Sequence, residues 1–249
     1  MNILVTRPEP SAGDLVNQLR HQGHIAWSFP LIEFAPGAQL HILSKRIKML
    51  KKADLVFILS QNAVHYINIF FKNEKFFWPK KLTYYAIGHS TALAFYKISG
   101  HEVSWPDSQE TTEILIQNLA SQTIFGKRAL ILRGNGGRNL LENTLRYYGA
   151  EVECLECYQR CEKHYHGSKE AHRWRRKGIN TLVVTSGSML QQLYCLFSDT
   201  DRDEWLLRCR LLVVSKRLLI LARKLGWINI YVANKADNNS LLQAISYFS

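Results

Sequence analysis

Residues 2–23 lie over residues 128–149 without a gap, and seven of those 22 positions are identical: Leu4/Leu130, Arg7/Arg133, Leu15/Leu141, Asn17/Asn143, Leu19/Leu145, Arg20/Arg146 and Gly23/Gly149. Chance would supply about one or two identities in such a window at typical residue frequencies. The same shift of 126 lays PLIEF (30–34) on ECYQR (156–160). It also pairs Ser60 with Ser186, each ending an apolar run, DLVFILS and NTLVVTS. Shifted by 127, YYAIGHSTALA meets LLVVSKRLLILA. The chain is therefore a duplicated half. Its period is too long for a solenoid and fits two domains.

Each half alternates strand and helix patterns. In the first, NILVTR is a short strand, and Leu15, Val16 and Leu19 give the next helix its apolar face. Ser11 reads as the N-cap of that helix and Gly23 as its end. HIAWSF reads as a strand that continues through PLIEF, followed by a helix over 40–52. DLVFILS, LTYYAIG and HEVSW are further strands, with helices over 62–71, from HSTALAFYKISG and over 112–119. The second half restarts with ALIL, a Gly-rich turn RGNGGR, a helix to Gly149 and the strand VECLECY, which ends in an exposed-looking Tyr158. Such alternation implies α/β architecture, with parallel sheets covered on both faces in a flavodoxin-like order.

In sheets of that kind, ligands bind at the carboxyl ends of strands, where the following helices begin. That rule alone selects Arg7, Ser60, Asn62, Gly88, His89, Ser90 and Thr91 from the first half. From the second it selects Arg133, Gly134, Asn135, Gly136, Gly137, Arg138, Thr185, Ser186, Gly187, Ser215, Lys216 and Arg217. Glycines let backbone N–H groups approach an anion, a helix N-terminus favours negative charge, and paired arginines clamp carboxylate or phosphate. RGNGGR is not a dinucleotide fingerprint, because Asn139 stands at the third glycine position, and it lacks the Lys-Ser/Thr of a phosphate loop. Each hydroxyl in the set could also be an ordinary helix cap.

Other chemistry is poorly supported. Cys154, Cys157 and Cys161, followed by His164 and His166, invite a metal reading. Positions i and i+3 of a strand face opposite ways, so Cys154 and Cys157 do not converge. Ser60 and Ser186 lack the glycine-flanked nucleophile elbow. With 32 Lys and Arg against 20 Asp and Glu, the chain carries a formal charge of +12. That suits nucleic acid, a small polyanion or simply a Lys-rich surface. The run Arg173, Arg175, Arg176 and Lys177 around Trp174 reads as a solvated helix end. No recognition motif accompanies it, so no nucleic-acid partner is expected. The apolar runs 55–59 and 211–214 are far too short for a membrane span, and MNILVTRPEP lacks a basic start. Five cysteines, an odd number, fit a reducing compartment. A cytoplasmic protein is expected.

In order, ILVTRP, PLIEF, LSQNAV, YAIGHSTA, ALILRGNGGR, ECYQR and VVTSG resemble the uroporphyrinogen-III synthase (HemD) family of the enterobacterial type, over essentially the whole chain. The resemblance implies two α/β domains joined by a two-stranded ladder, with the chain crossing twice. Residues 1–34 with 162–249 would form one domain and 38–157 the other, with 30–37 and 155–162 as connecting strands. It also implies a lyase of heme biosynthesis, monomeric and free of metal and cofactor. Its substrate would be hydroxymethylbilane, an octacarboxylate, with a transient hand-over from hydroxymethylbilane synthase. The family's catalytic tyrosine maps onto Tyr158. The threonine that often follows two residues later is Arg160 here, and the family's Thr-Ser before the third helix is Leu59-Ser60. GHSTA keeps the family's turn, whereas its repeat counterpart SKRLL has no threonine. The competing reading is a non-catalytic, two-domain binding protein for a small anionic metabolite.

Overall fold

The computed structural model describes residues 1–72, 76–119 and 122–248. The chain opens with β1 (Asn2–Val5), α1 (Ser11–His21), β2 (Ile25–Ser28) and β3 (Ile32–Pro36). It continues with α2 (Leu43–Met49), β4 (Leu55–Ile58), α3 (Gln61–Lys72), β5 (Thr83–Ala86), α4 (His89–Ser99) and α5 (Thr112–Leu119). The second half runs β6 (Arg128–Gly134), α6 (Leu140–Tyr147), β7 (Glu151–Glu162), α7 (Gly167–Arg176), β8 (Thr181–Val183) and α8 (Gly187–Leu196). It closes with α9 (Asp199–Glu204), β9 (Arg210–Val213), α10 (Lys216–Lys224), β10 (Ile230–Val232) and α11 (Asn238–Ser246). Among the described residues no helix is long and apolar enough to cross a membrane.

Two compact units result, Met1–Glu33 with Cys161–Ser249, and Phe34–Arg160. The first holds a sheet of order β2-β1-β8-β9-β10 whose neighbours are all parallel. Taken as β1, β2, β8, β9, β10 in chain order, this is the flavodoxin order 2-1-3-4-5. In the second unit β7-β6-β4-β5 are parallel, and β3 is added outside β7. Ser104 bridges to Tyr85 of β5, in the place a fifth strand would take. The same 2-1-3-4-5 order follows, starting from β6.

The duplication is thus exchanged. Each unit takes its first two strands from one copy and its last three positions from the other. Equivalent contacts show it. Asn180 Oδ1 accepts the N–H of Asn2 at 3.2 Å in the first unit, and Asp54 Oδ1 accepts that of Arg128 at 3.0 Å in the second. Arg20 binds the Ala26 carbonyl through Nε and Nη2, and Arg146 binds the Val152 carbonyl through Nη2 at 2.7 Å. Both arginines sit in the last turn of a helix, where a cation meets the negative end of the dipole.

Apolar side chains cover both faces of each sheet. Ile3, Val5, Leu15, Leu19 and Leu212 lie on one face of the first sheet, and Leu4, Trp174, Leu182 and Leu211 on the other. In the second unit Val56, Ile58 and Leu130 oppose Leu55, Phe57 and Ile131. These residues are buried, each leucine contributing about 1.5–3 kcal/mol. The alternation explains why the strands read as continuous apolar runs.

Four local expectations are corrected. The strand expected from HIAWSF through PLIEF breaks at Phe29, Pro30 and Leu31, and its parts join different sheets. Pro30 has no N–H to continue a ladder. The helix expected over 40–52 is a 3₁₀ turn at Leu40–Ile42 followed by the shorter α2. HEVSW makes a single bridge at Ser104. Ser11 does not cap α1; it is the first helical residue, and the Glu9 carboxylate accepts the Gly13 N–H at 2.8 Å. A longer side chain reaches the same orphan donors from outside the helix.

Candidate functional site

The residues selected at the strand ends gather at the carboxyl edge of each sheet. In the second unit that edge is built around Tyr158. Its position depends on a bulge: Arg133 pairs with Glu156, but Gly134 pairs with Tyr158, so Cys157 is an extra residue on β7. Cys157 and Tyr158 are consecutive yet both belong to the same buried cluster on one side of the sheet, which regular strand alternation could not arrange. Tyr158 is only 3% exposed, contrary to the exposed position expected.

Its ring packs edge-on to Phe34 (centroids 5.6 Å apart) and stacks on Tyr66 (6.2 Å). Asn135 secures the backbone beyond the bulge. Its N–H donates to the Tyr158 carbonyl at 3.1 Å, its Oδ1 accepts the Arg160 N–H at 2.6 Å, and its Nδ2 donates to the Arg160 carbonyl at 3.3 Å. The side-chain amide thus extends the β6–β7 ladder past its last residue. Ser60, half-buried at the end of β4, accepts the Ala63 N–H at 3.1 Å and caps α3. The Ser60 hydroxyl also donates to Tyr158 Oη at 3.1 Å. Asn62 follows in the first turn of α3.

The Gly-rich turn after β6 has Gly136 at φ +72° and Gly137 at φ +107°, conformations that favour glycine. Arg133 and Arg138 both meet groups of the chain itself. Arg133 Nη1 donates to Asn139 Oδ1 at 3.2 Å and lies 4.0 Å from Glu142. Arg138, largely exposed, pairs with Glu113 at 2.8 Å. Glu142 also accepts the Cys154 thiol and Arg146 Nη2, and these bonds hold its carboxyl below the usual range, the thiol most. At the start of α4, Gly88 is the N-cap and the His89 N–H donates to Glu110 Oε1 at 2.9 Å. Thr91 is buried in the first turn.

The first unit repeats the arrangement. Ser186 caps α8 by accepting the Met189 N–H at 3.3 Å, flanked by Thr185 and Gly187. Ser215 caps α10 through the Leu218 N–H at 3.3 Å. Arg7, after β1, donates to Asn238 Oδ1 at 2.7 Å. Burial pulls its guanidinium below the ordinary value, and Asp14 and Asp237 partly offset this.

Three of these helix starts already receive carboxylates from the chain: Glu9 at α1, Glu110 at α4 and Asp237 at α11. This is the chemistry expected where N–H groups and the helix dipole point outward together. Glu110 was not among the sequence candidates, since it lies in no motif and acts through a contact distant along the chain, whereas Asn135 was selected within RGNGGR and binds the β7 backbone at Tyr158 and Arg160. Among the described residues no group of three or more His, Cys, Asp and Glu could hold a metal ion.

Comparison with known proteins is consistent across the chain. The family model described as Uroporphyrinogen-III synthase HemD matches residues 13–243. The uroporphyrinogen-III synthase of Salmonella typhimurium is 54% identical over 245 residues, covering 98% of this chain and 100% of the relative. That of Escherichia coli K12 is 51% identical with the same coverage. Among solved structures, the uroporphyrinogen-III synthetase of Helicobacter pylori superposes with a TM-score of 0.61 at 17% identity, covering 100% of this chain and 99% of that one. A mutant uroporphyrinogen III synthase from Thermus thermophilus gives 0.60 at 16% identity, covering 99% and 98%. At those identities the structural likeness speaks to the fold alone.

Proposed function

The chain belongs to the uroporphyrinogen-III synthase family, and we propose that it cyclises hydroxymethylbilane to uroporphyrinogen III, inverting ring D and releasing water. Full-length identity above one half to relatives bearing that enzyme's name carries the reading. The strand-end chemistry agrees with it. A substrate with eight carboxylates suits helix N-termini that already accept carboxylates, together with Arg7, Arg133 and Arg138.

In this reading Tyr158 donates its phenolic proton to the terminal hydroxyl of the substrate. The adjacent pyrrole pushes out the leaving oxygen, the C–O bond breaks, and water departs from an azafulvene. Ring closure through a spiro intermediate and rearrangement follow. Loss of a ring proton then restores the phenol, so one water is lost and no oxidant is needed. Asn62, Gly88, His89, Thr91, Gly134, Gly137, Thr185, Ser186, Gly187 and Ser215 would supply backbone and side-chain donors to the carboxylates, and Ser60, whose hydroxyl hydrogen goes to Tyr158, its backbone N–H. We take the protein to act in the cytoplasm as a monomer that receives its unstable substrate from hydroxymethylbilane synthase.

The test is conversion of freshly generated hydroxymethylbilane, with the isomers separated by chromatography. The type III isomer is expected. Formation of the spontaneous type I isomer alone would overturn the reading in favour of a binding protein. Tyr158→Phe should slow turnover by about a hundredfold, the scale of losing general acid catalysis, while folding normally.

A further inference from the structure

We propose that Ser60 is the positioning residue for Tyr158, directing the phenolic hydrogen outward and holding the anion left when it departs. The inference deepens the role given above to Tyr158 and rests on it. A serine hydroxyl has one hydrogen and two lone pairs. Ser60 Oγ accepts the Ala63 N–H at 3.1 Å, and its hydrogen goes to Tyr158 Oη, also at 3.1 Å. The chain of bonds therefore has one direction: backbone N–H to serine oxygen, serine hydrogen to phenol oxygen. The phenol, having accepted, keeps its own hydrogen for a further partner.

Bonds aligned this way polarise one another, and their source is the positive end of the twelve-residue helix α3. When Tyr158 gives up its proton, the phenolate finds a donor already aimed at it. No reorganisation is needed at that moment. The ring cannot swing to another acceptor. Phe34 and Tyr66 pack against it, and the Gly134 backbone lies where a Cβ would come within 2.5 Å of its Cζ.

The duplication separates this role from capping. Ser186 is the repeat counterpart of Ser60 and caps α8 in the same way, but its hydroxyl neighbours Ser188. Capping is what both copies of the fold require. The phenol contact is added in the second unit only, among the described residues.

The experiment measures kcat at saturating hydroxymethylbilane, with Tm, for Ser60→Gly, Ser60→Ala, Ser60→Thr, Tyr158→Phe and the double variant Ser60→Gly/Tyr158→Phe. Glycine keeps most of the cap, whereas alanine loses it. Loss of the donor should cost about tenfold or more in kcat in both variants alike, although only the alanine variant loses much stability. Threonine, which retains cap and donor, should recover most of the rate. The double variant should be no slower than Tyr158→Phe alone. A Ser60→Gly enzyme at the wild-type rate, or losses that multiply in the double variant, would overturn the link while Tyr158 kept its role. A wild-type rate in Tyr158→Phe would overturn both.

Discussion

Gly134 and Tyr158 are register partners at the end of β6 and β7, and the tyrosine ring occupies the space that a side chain on Gly134 would need. A Cβ there would lie 2.5 Å from Tyr158 Cζ and within 3 Å of both flanking ring carbons. The ring is hemmed in by Phe34 and Tyr66, so it cannot yield cheaply. Gly134→Ala should therefore cost about 1–3 kcal/mol in stability by overpacking. It should also lower kcat, because the ring must move away from Ser60. Gly100→Ala makes the control: it ends α4, nothing lies within 4 Å of its Cβ, and the cost there is backbone strain at φ +70°. Comparing kcat and Tm of the two variants checks the claim. Equal kcat losses at equal destabilisation would show that Gly134 matters only for folding.

The duplication was legible because its identical residues perform identical local work. Arg20 and Arg146 each reach the carbonyl six positions on, and Gly23 and Gly149 each take the left-handed turn after a helix. Spacing alone reveals such contacts. The exchange of strands between copies is not legible from periodicity. Asn2 would find an equivalent partner at residue 54 as readily as at 180, and only the three-dimensional path decides. Here the family resemblance supplied the expectation of two crossings. Tyr158 was misread for another reason. Strand alternation puts residues 154, 156 and 158 on one face, and the bulge at Cys157 that breaks the alternation leaves no mark in the sequence. The carboxylates of Glu9 and Glu110 were missed as helix caps because capping signals are sought at the residue before a helix.

Glu142 links stability to pH. Its carboxylate accepts the Cys154 thiol and Arg146 Nη2, and these bonds depress its folded pKa, the thiol bond most. A depressed carboxylate contributes its full stabilisation above the unfolded carboxylate range and loses it as pH falls through the folded value. Glu142→Gln should accordingly unfold a few degrees lower than the parent at neutral pH. The gap should narrow steadily as the solution is acidified below about pH 4, the ordinary carboxylate value. Thermal unfolding of both proteins across that range checks it. A gap independent of pH would show that the charge of Glu142 is immaterial.

The thiols should divide sharply in reactivity. Burial, then the Glu142 carboxylate, pushes Cys154 up to about 11, and burial pushes Cys209 up to about 12 and Cys157 higher still. Cys195 is exposed and Cys161 half-buried. Only the thiolate attacks an alkylating reagent. Iodoacetamide at pH 8 should therefore add first at Cys195, then at Cys161, and reach the other three only after unfolding in guanidinium. Mass spectrometry of digests taken over time reads the order. Labelling of Cys154 as fast as Cys195 would mean that the Glu142 contact does not persist in solution.

We propose that Arg138 binds a substrate carboxylate: its guanidinium is largely exposed and its partner Glu113 is a surface carboxylate. Exposed pairs of this kind contribute little to folding, so Arg138→Ala should leave Tm nearly unchanged. A guanidinium that binds a substrate carboxylate equally in ground and transition states affects KM rather than kcat. Arg138→Ala should thus raise KM severalfold at constant kcat, more at low ionic strength than at high, where screening already weakens the attraction. Glu113→Ala should act in the opposite direction. With its internal partner gone, Arg138 is freed for the substrate and KM should fall. Steady-state kinetics of the three proteins at two salt concentrations decides the matter: KM values that coincide would remove Arg138 from the binding site, and a shared fall in kcat would place it in the chemical step instead.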